Sequence, residues 1–339
     1  ADAASDTLVR WRASHKNVHV ALGVDYRSVF RQGVLDGTNE MKGGIGCKLQ
    51  QVKSLLEGID STPRAKPPTK RPTKASYFLP DWDDLLDPQF DFTGDKFSAA
   101  TREDRGDLHC CQLMGESRMC DGILVSLAQH FTSKGPLRRF RDEESTLAPR
   151  NLRRWFGLGD DQYLFGDCGA FSYAMDEEPA FTIEQAVSHY ELNGFDFGAS
   201  VDHIPLPSLS EEERKRRCEL TTSNAEQFLA THRRRKATFL PVGTIQGVNP
   251  EDYAENALAY AEMGYSRVAI GGLVPRSDSD IKAIVEAVTT AYEAVQSRPW
   301  VHLFGVFRPN LQADFRRLGV DSFDSASYFR KAWLRSDQN

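Results

Sequence analysis

The chain has 339 residues, enough to bury a large core in one barrel or in two ordinary domains. Its 42 lysines and arginines against 48 aspartates and glutamates give a net charge of -6, which excludes a general electrostatic attraction to nucleic acid; such a contact needs a local basic patch. The six cysteines form no CxxC pair. No run reaches the ~18 apolar residues of a membrane span, and the N-terminus lacks the basic and apolar pattern of a signal peptide. We therefore expect a cytoplasmic protein with reduced thiols and no membrane segment.

Residues 1–74 predict an accessory segment followed by a linker. Residues 1–60 contain a candidate strand at Val18–Val24 and a candidate helix near Lys48–Leu56, but nothing that indicates a reaction. Residues 61–74 are rich in proline, lysine and arginine and lack apolar periodicity, which is typical of an extended basic linker. A larger α/β domain is expected over residues 75–339.

Beyond the linker, short apolar runs alternate with amphipathic helices. Eight runs predict strands: Tyr77–Pro80, Gly122–Ser126, Tyr163–Gly166, Gly198–Val201, Phe239–Thr244, Arg267–Ile270, His302–Val306 and Ser322–Asp324. Thr182 and Ser210 begin capping boxes, and Asn249 precedes a proline at the first helical position. This alternation predicts parallel strands joined by crossover helices. The first choice is a (β/α)8 TIM-type barrel with an N-terminal extension and insertions, and a doubly wound open sheet is the alternative.

Polar residues, glycines and one phenylalanine lie at or just after the ends of the last six predicted strands. They are Asp167, Asp202, Gln246, Gly271 with Gly272, Phe304 and Asp324. In (β/α)8 barrels the active site is built at the C-terminal ends of the strands, so the barrel predicts one shared pocket for these residues. Either catalytic candidate, Asp167 or Asp324, is on its own also explained as a turn residue, and Asp202 as a cap or a partner of His203.

Within one pocket, Asp167 and Asp324 can divide the duties of proton carrier and nucleophile. Phe171 and Phe304 can close on the two faces of a flat ring, as aromatic side chains do around a nucleobase drawn out of its stack, although each is also a common type of core residue.

The remaining strand-end residues suit the edge of a purine. Asp202 offers acceptors and Gln246 offers an amide that both donates and accepts. The backbone N–H groups around Gly271, Gly272 and Leu273 can hold a carbonyl oxygen, because glycine permits close approach of a ligand to the backbone.

Six short motifs occur in an order that resembles the signature segments of the tRNA-guanine transglycosylases. They are Gly166–Phe171 (GDCGAF), Val201–His203 (VDH), Gly243–Gly247 (GTIQG), Ile270–Leu273 (IGGL), Leu303–Val306 (LFGV) and Phe323–Ser325 (FDS). Two further segments, Tyr77–Trp82 (YFLPDW) and Asp324–Trp333 (DSASYFRKAW), are similar to those of the branch that inserts 7-deazaguanines into DNA.

The resemblance implies a pentosyltransferase, a DNA guanine transglycosylase that exchanges guanine in DNA for free 7-cyano-7-deazaguanine or a relative. Asp324 would attack C1′ and carry the sugar in a covalent aspartyl-glycosyl intermediate, while Asp167 would act as acid and base. Phe171 and Phe304 would sandwich the base, and its edge would be recognised by Asp202, Gln246, Gly272 and Leu273. The expected partners are DNA, the free base and companion DNA-modification proteins. The alternatives are a tRNA-guanine transglycosylase and a catalytically inactive, nucleic-acid-binding barrel subunit.

The resemblance implies no redox cofactor and no nucleoside triphosphate, but it raises the question of zinc. The tRNA enzymes carry a zinc module, C-x-C-x-x-C with a distant histidine, after the last strand. The 15 residues after Asp324 contain neither cysteine nor histidine, so no zinc site is expected at that position. His109, Cys110, Cys111, Cys120 and His130 supply ligand types for a site elsewhere, although adjacent cysteines rarely form a regular tetrahedral site. Cys168 is expected to be a packing residue.

Contacts to DNA need positive charge near the barrel mouth. The candidates lie in the long connection before Asp167: Arg138, Arg139, Arg141, Arg153 and Arg154. A loop salt-bridged to the acidic residues 142–144 is the alternative reading. The basic run Arg233–Lys236 precedes the fifth strand, so in a barrel it would lie at the opposite face and is expected to be a solvated helix end.

Overall fold

Eight parallel strands close into a barrel in the computed structural model, which describes residues 74–115, 118–132, 135, 137 and 152–327. The strands are β1 Ser76–Pro80, β2 Gly122–Ser126, β3 Tyr163–Asp167, β4 Phe197–Ala199, β5 Leu240–Ile245, β6 Arg267–Ile270, β7 Trp300–Leu303 and β8 Ser322–Asp324. Each strand pairs with its neighbours in sequence, and β1 closes the ring by pairing with both β2 and β8. The predicted (β/α)8 barrel is confirmed, and the open sheet was wrong.

The strand bounds match the predicted runs closely, with the largest shift at β7. There the strand begins two residues before the predicted start and ends at Leu303. It stops before Gly305 because that glycine has a positive φ of 72°, which is outside the conformation of a strand.

The helices of the described residues complete the fold. They are α1 Arg102–Arg105, α2 Cys110–Met114, α3 Leu127–His130, α4 Leu152–Phe156, α5 Ile183–Leu192, α6 Glu211–Arg235, α7 Pro250–Met263, α8 Asp278–Ala294 and α9 Gln312–Leu318. Two 3-10 turns, Ala170–Tyr173 and Pro309–Leu311, and an antiparallel pair, Leu85–Leu86 with Leu108–His109, accompany them. Within these residues every helix is too short or too polar to cross a bilayer.

The predicted helix starts hold, with one difference. Thr182 and Asn249 form complete capping boxes at the starts of α5 and α7. Ser210 accepts the N–H of Glu213 at the start of α6, but the Glu213 side chain turns away to Arg216 and Arg217. Those two guanidinium groups lower the pKa of Glu213 to about 2. An ion pair has replaced the second half of that predicted box.

The barrel interior is filled by side chains that alternate along the strands. Phe78, Leu124, Phe165, Phe197, Ala199, Val242 and Ala269 form this inner cluster. The ring centroids of Phe78 and Phe165 lie 5.3 Å apart in an edge-to-face arrangement, which fills space and adds favourable quadrupole contacts. The closed, packed interior therefore restricts a ligand to the ends of the strands.

Aspartates at the starts of the strands have a structural role. The side chains of Asp121, Asp196 and Asp321 each accept the backbone N–H of the second residue of a neighbouring strand at 2.8–2.9 Å. These carboxylates satisfy donors that the ladder leaves unpaired at its edge. The aspartates at the opposite ends of the strands, Asp167 and Asp324, are consequently the ones left for chemistry.

The chain divides into two units. One contains the described parts of Ala65–Trp82, Cys120–Glu143 and Asp161–Asn339 and holds the barrel. The other includes the described parts of Asp83–Met119 and Glu144–Asp160, which are insertions between barrel strands. The predicted accessory segment 1–60 and nearly all of the linker 61–74 lie outside the described residues.

The basic run at the end of α6 behaves as a solvated helix end, as expected. Arg234 and Arg235 pair with Glu184, and Arg235 also pairs with Glu191, both acids being on α5. Lys236 ends the helix in a left-handed conformation. These charges stabilise the outer helical layer.

Candidate active site

The C-terminal ends of β3, β4 and β8 bring three aspartates into one electrostatic cluster. Asp167 is the last residue of β3, Asp324 is the last residue of β8, and Asp202 follows β4 by three residues. A carboxylate oxygen of Asp167, the Cys168 sulfur and a carboxylate oxygen of Asp202 lie within 4.8 Å of one another. The charge of Asp324 also acts on Asp167.

Asp167, at the end of β3, has a shifted pKa. Burial raises the pKa of Asp167 well above its usual range, and the negative charges of Asp202 and Asp324 raise that pKa further. The N–H of Gly169 donates to Asp167 Oδ2 at 3.1 Å, which opposes the shift but does not cancel it. Asp167 therefore holds a proton to a higher pH than an ordinary aspartate, as a general acid requires.

Asp324 is held asymmetrically. Its Oδ1 accepts the N–H of Gly305 at 2.8 Å and lies 3.1 Å from His302 Nε2. Its Oδ2 has no hydrogen-bond partner within the described part of the chain. The residue is only 5% exposed, so the carboxylate is fixed by these contacts rather than by solvent.

Asp202 lies at the centre of a buried hydrogen-bond network. Its Oδ1 accepts the Cys168 thiol at 2.8 Å, and its Oδ2 accepts the Gln246 amide at 2.6 Å. The Tyr173 hydroxyl lies 2.9 Å from both Cys168 Sγ and the Asp202 carbonyl oxygen. The partners of the Asp202 carboxylate are thus Cys168 and Gln246 rather than His203, so the alternative roles as a cap or as a partner of His203 are not realised.

Gln246 leaves one strong acceptor open. Its Oε1 is buried and has no hydrogen-bond partner in the described part of the chain. A buried amide oxygen without a partner carries a free-energy penalty that a bound donor would remove. The side chain thus points to a ligand with N–H groups.

The glycines after β6 have different roles from one another. The Gly271 N–H donates to the Ile245 carbonyl at 3.0 Å, so the expectation that it would hold a ligand oxygen was wrong. The N–H groups of Gly272 and Leu273 have no acceptor among the described residues. Gly272 has a φ of 68°, and a Cβ there would lie 2.6 Å from Gln246 Oε1. Glycine at this position therefore keeps the amide of Gln246 in place.

The two phenylalanines predicted to stack on a ring differ in environment. Phe171, on the 3-10 turn after β3, is 56% exposed. Phe304 is half-buried, with its ring centroid 4.8 Å from that of His302 and 5.8 Å from that of Phe165. Phe304 is anchored in the barrel core, whereas Phe171 presents an apolar ring that a flat ligand can cover.

Two possible metal ligands in the barrel unit, Cys168 and His130, make other contacts. The Cys168 thiol donates to Asp202, and burial together with Asp202 and Asp167 raises its pKa well above the usual range, which disfavours the thiolate that a metal needs. His130 Nδ1 lies 2.9 Å from the Ser126 carbonyl, and its Nε2 lies 2.6 Å from Asp81 Oδ2. His130 is therefore not a free ligand for the zinc site considered from the sequence.

The arginines expected to contact DNA are only partly described. Arg138, Arg139 and Arg141 lie outside the described residues. Arg153 is 2% exposed, and its guanidinium donates to the Gly159 carbonyl at 2.7 Å, so it is not available to a phosphate in this conformation. Arg154 is exposed on the same helix, α4, and stays a candidate.

Sequence reasoning missed several residues of the site. His302 was expected only as part of a strand, and Gly305 only as a neighbour of Phe304. Ser322, whose Oγ lies 2.8 Å from His302 Nδ1, was not considered. Cys168 is buried as expected, but it also holds Asp202. The alternation of inward side chains along β7 and β8 is the one signal that could have placed His302 and Ser322 beside Asp324.

This fold and this site define a TIM-barrel protein with a carboxylate and amide cluster at the mouth, suited to a flat ring with a polar edge. Residues 166–334 match the family model described as queuine tRNA-ribosyltransferase. Over 285 residues the chain is 32% identical to the DNA-guanine transglycosylase of Salmonella montevideo, a match that covers 79% of this chain and 65% of that protein. The chain is thus similar to the tRNA-guanine transglycosylase superfamily over residues 166–334 and to a DNA-guanine transglycosylase over 79% of its length.

Archaeal members of the superfamily match a shorter part of the chain. The tRNA-guanine(15) transglycosylases of Methanococcus aeolicus and Methanocaldococcus jannaschii are 28% and 26% identical to it over 173 residues. Each of these matches covers 50% of this chain and 26% of the relative. The similarity to the Salmonella protein therefore extends over more of the chain than the similarity to these two proteins.

Proposed function

We propose that this protein is a guanine transglycosylase that exchanges guanine in DNA for a free 7-deazaguanine. The observation that carries the proposal is the pair of differently held aspartates at one barrel mouth. Asp324 has hydrogen-bond donors on one oxygen and leaves the other open, which suits a nucleophile. Asp167 has a pKa raised by burial and by neighbouring carboxylates, which suits a proton donor.

The reaction would run in two matched halves. Asp324 attacks C1′ while the C1′–N9 bond breaks. The electron pair of that bond leaves with guanine, which takes the proton of Asp167. The sugar is then esterified to Asp324. An incoming base gives its proton to Asp167 and displaces Asp324 from C1′. The net change is an exchange of bases, and no redox cofactor, nucleoside triphosphate or metal takes part in these steps.

The polar groups of the pocket match the edge of guanine. Along its Watson–Crick edge, guanine presents one acceptor, O6, and donors at N1 and N2. The N–H groups of Gly272 and Leu273 complement O6, while Asp202 and Gln246 Oε1, which has no partner among the described residues, complement the donors. Adenine presents a donor where guanine has O6, so it would leave buried groups unpaired, which costs about 1–3 kcal/mol per group.

The choice of DNA and of a 7-deazaguanine is supported by similarity. The match to the Salmonella DNA-guanine transglycosylase extends beyond the part shared with the tRNA-acting relatives. We include 7-cyano-7-deazaguanine or a relative as the incoming base, companion DNA-modification proteins as partners, and a cytoplasmic location. An extruded guanine would stack on Phe171 and Phe304.

An exchange assay run in parallel on duplex DNA and on tRNA tests this proposal. The chain is incubated with labelled 7-cyano-7-deazaguanine, and label in the nucleic acid is measured for the wild type, Asp324→Ala and a control, Asp314→Ala, on the outer helix α9. We expect label in DNA for the wild type and the control, and none for Asp324→Ala, which should stay folded. Label in tRNA alone would establish the tRNA enzyme instead. No exchange and no covalent adduct with either nucleic acid would indicate an inactive barrel.

A further inference from the structure

We propose that His302 is a positioning residue that fixes which oxygen of Asp324 attacks the sugar. The inference deepens the proposed function and rests on it. His302 is 2% exposed, in the middle of β7, and the register pairs it with Ser322 on β8. Asp324 is two residues beyond Ser322, so the two side chains lie on the same, inward face of β8. The His302 side chain meets them there from the adjacent strand β7.

The imidazole bridges Ser322 and Asp324. Its Nδ1 lies 2.8 Å from Ser322 Oγ and its Nε2 lies 3.1 Å from Asp324 Oδ1. A carboxylate oxygen only accepts, so the Nε2 contact requires a proton on Nε2. The serine hydroxyl can donate to Nδ1, which makes both contacts possible with a neutral ring. Ser322 thereby selects the tautomer in which His302 donates to the nucleophile.

A second donor acts on the same oxygen. The Gly305 N–H reaches Asp324 Oδ1 at 2.8 Å, and Gly305 presents it from a turn with a φ of 72°. Two donors therefore occupy Oδ1, while Oδ2 has no partner in the described part of the chain. A lone pair on Oδ2 is the one left for C1′, so the structure assigns Oδ2 as the attacking atom.

His302 and Gly305, the two donors to Asp324 Oδ1, form a clamp that would act in both halves of the exchange. When Oδ2 bonds to C1′, the C1′–N9 electron pair leaves with the base and Oδ1 becomes the carbonyl oxygen of the ester. When the second base displaces the ester, the Oδ2–C1′ electron pair returns to the carboxylate, whose charge is shared with Oδ1. Donors fixed on Oδ1 stabilise that returning charge and keep the carboxylate from rotating.

A purely structural role makes a different prediction from positioning. The His302 ring packs 4.9 Å from Phe165, 4.8 Å from Phe304 and 5.8 Å from Phe78, measured between ring centroids. If packing alone mattered, phenylalanine would replace His302 at least as well as glutamine. If the donor matters, glutamine, whose amide can reach toward Oδ1, would be the better replacement.

The test compares His302→Phe and His302→Gln in the exchange assay, after the wild type has shown exchange. The matched control is His232→Gln, at a histidine whose ring contacts the Phe239 carbonyl. We expect His302→Phe to lose about 10- to 100-fold in kcat with an unchanged KM for the free base, the loss that a missing hydrogen bond to a charged group implies. His302→Gln should retain more of the rate, and formation of the covalent adduct should slow in parallel. Equal or better activity of His302→Phe, or an effect on KM alone, would overturn the proposal.

A measurement without turnover separates this inference from the proposed function. In spectra of the protein with 15N-labelled histidine, the His302 signal is identified by its loss in His302→Gln. We expect the tautomer protonated on Nε2, with a signal that moves in Asp324→Asn and in Ser322→Ala. The Nδ1 tautomer, or a signal indifferent to Asp324, would refute the clamp even if exchange is observed. Failure of wild-type exchange with this signature present would refute the proposed function alone.

Discussion

Replacing Asp167 with asparagine should abolish fast exchange and yet stabilise the protein at neutral pH. The substitution keeps the shape of the side chain and an acceptor for the Gly169 N–H, but it removes the titrating proton and the charge. Loss of a general acid and base lowers rates by about 100- to 10,000-fold. We therefore expect kcat for base exchange to fall in that range.

The stability effect follows from the raised pKa of Asp167 in the folded protein. A carboxyl whose folded pKa exceeds the unfolded value contributes its full stability below the unfolded pKa, about 3.9, and loses it as pH rises through the folded pKa. Each unit of difference corresponds to about 1.4 kcal/mol. Asparagine does not titrate, so Asp167→Asn should melt higher than the wild type at pH 8, and the gap should narrow toward pH 4. One kcal/mol corresponds to ~2–4 °C in Tm for a domain of this size class.

Thermal melts of both proteins between pH 4 and pH 8 measure this effect, and Asp314→Asn provides a control of opposite sign. Hydrogen bonds from Arg317 and Lys282 lower the pKa of Asp314, so its contribution is present above the unfolded pKa and is lost at low pH. Asp314→Asn should therefore melt lower than the wild type at pH 8. A lower melting temperature for Asp167→Asn at pH 8, or a gap independent of pH, would show that the pKa of Asp167 is not raised in the folded protein.

Two further substitutions test the pocket that would read the base. Gly272→Ala should raise KM for the free base about tenfold or more, because the added methyl strains a left-handed backbone and displaces Gln246, at a cost of roughly 1–2 kcal/mol. The control is Gly264→Ala, which is also at positive φ but remote from the pocket and should leave KM unchanged. Equal effects of the two substitutions on KM would refute this interpretation. Cys168→Ala should raise KM for the free base about five- to thirtyfold, because it removes one hydrogen-bond donor from Asp202. Cys168→Ser should restore most of the affinity. A wild-type KM in Cys168→Ala would show that the thiol serves only in packing.

The amino-acid sequence contained most of the barrel because its signals are local. A buried parallel strand requires a short apolar run, and a helix start requires a cap, so β5 and the Asn249 cap of α7 were both readable without the fold. The predicted capping box at the start of α6 is incomplete because Glu213 forms ion pairs with two arginines on the same helix. A capping pattern in the sequence does not reveal such competing partners.

The strand ends were readable for the same reason, since residues just after each apolar run must meet at the mouth of a closed barrel. This rule predicted that Asp167, Asp202, Gln246 and Asp324 lie close together. It did not determine what each group bonds to. The N–H of Gly271 is taken by Ile245, and Arg153 is buried against its own loop, because both contacts depend on backbone paths that composition does not specify.

By itself the sequence determined the barrel, the resemblance to a superfamily and the residues at the barrel mouth, because apolar periodicity and motif order lie along the chain. Only the tertiary structure decided how the two candidate catalytic aspartates differ. Asp167 acquires its raised pKa from burial and from carboxylates 35 and 157 residues away. Asp324 acquires its clamp from a histidine on the adjacent strand. Such differences arise from strand register and desolvation, which exist only once the barrel has closed.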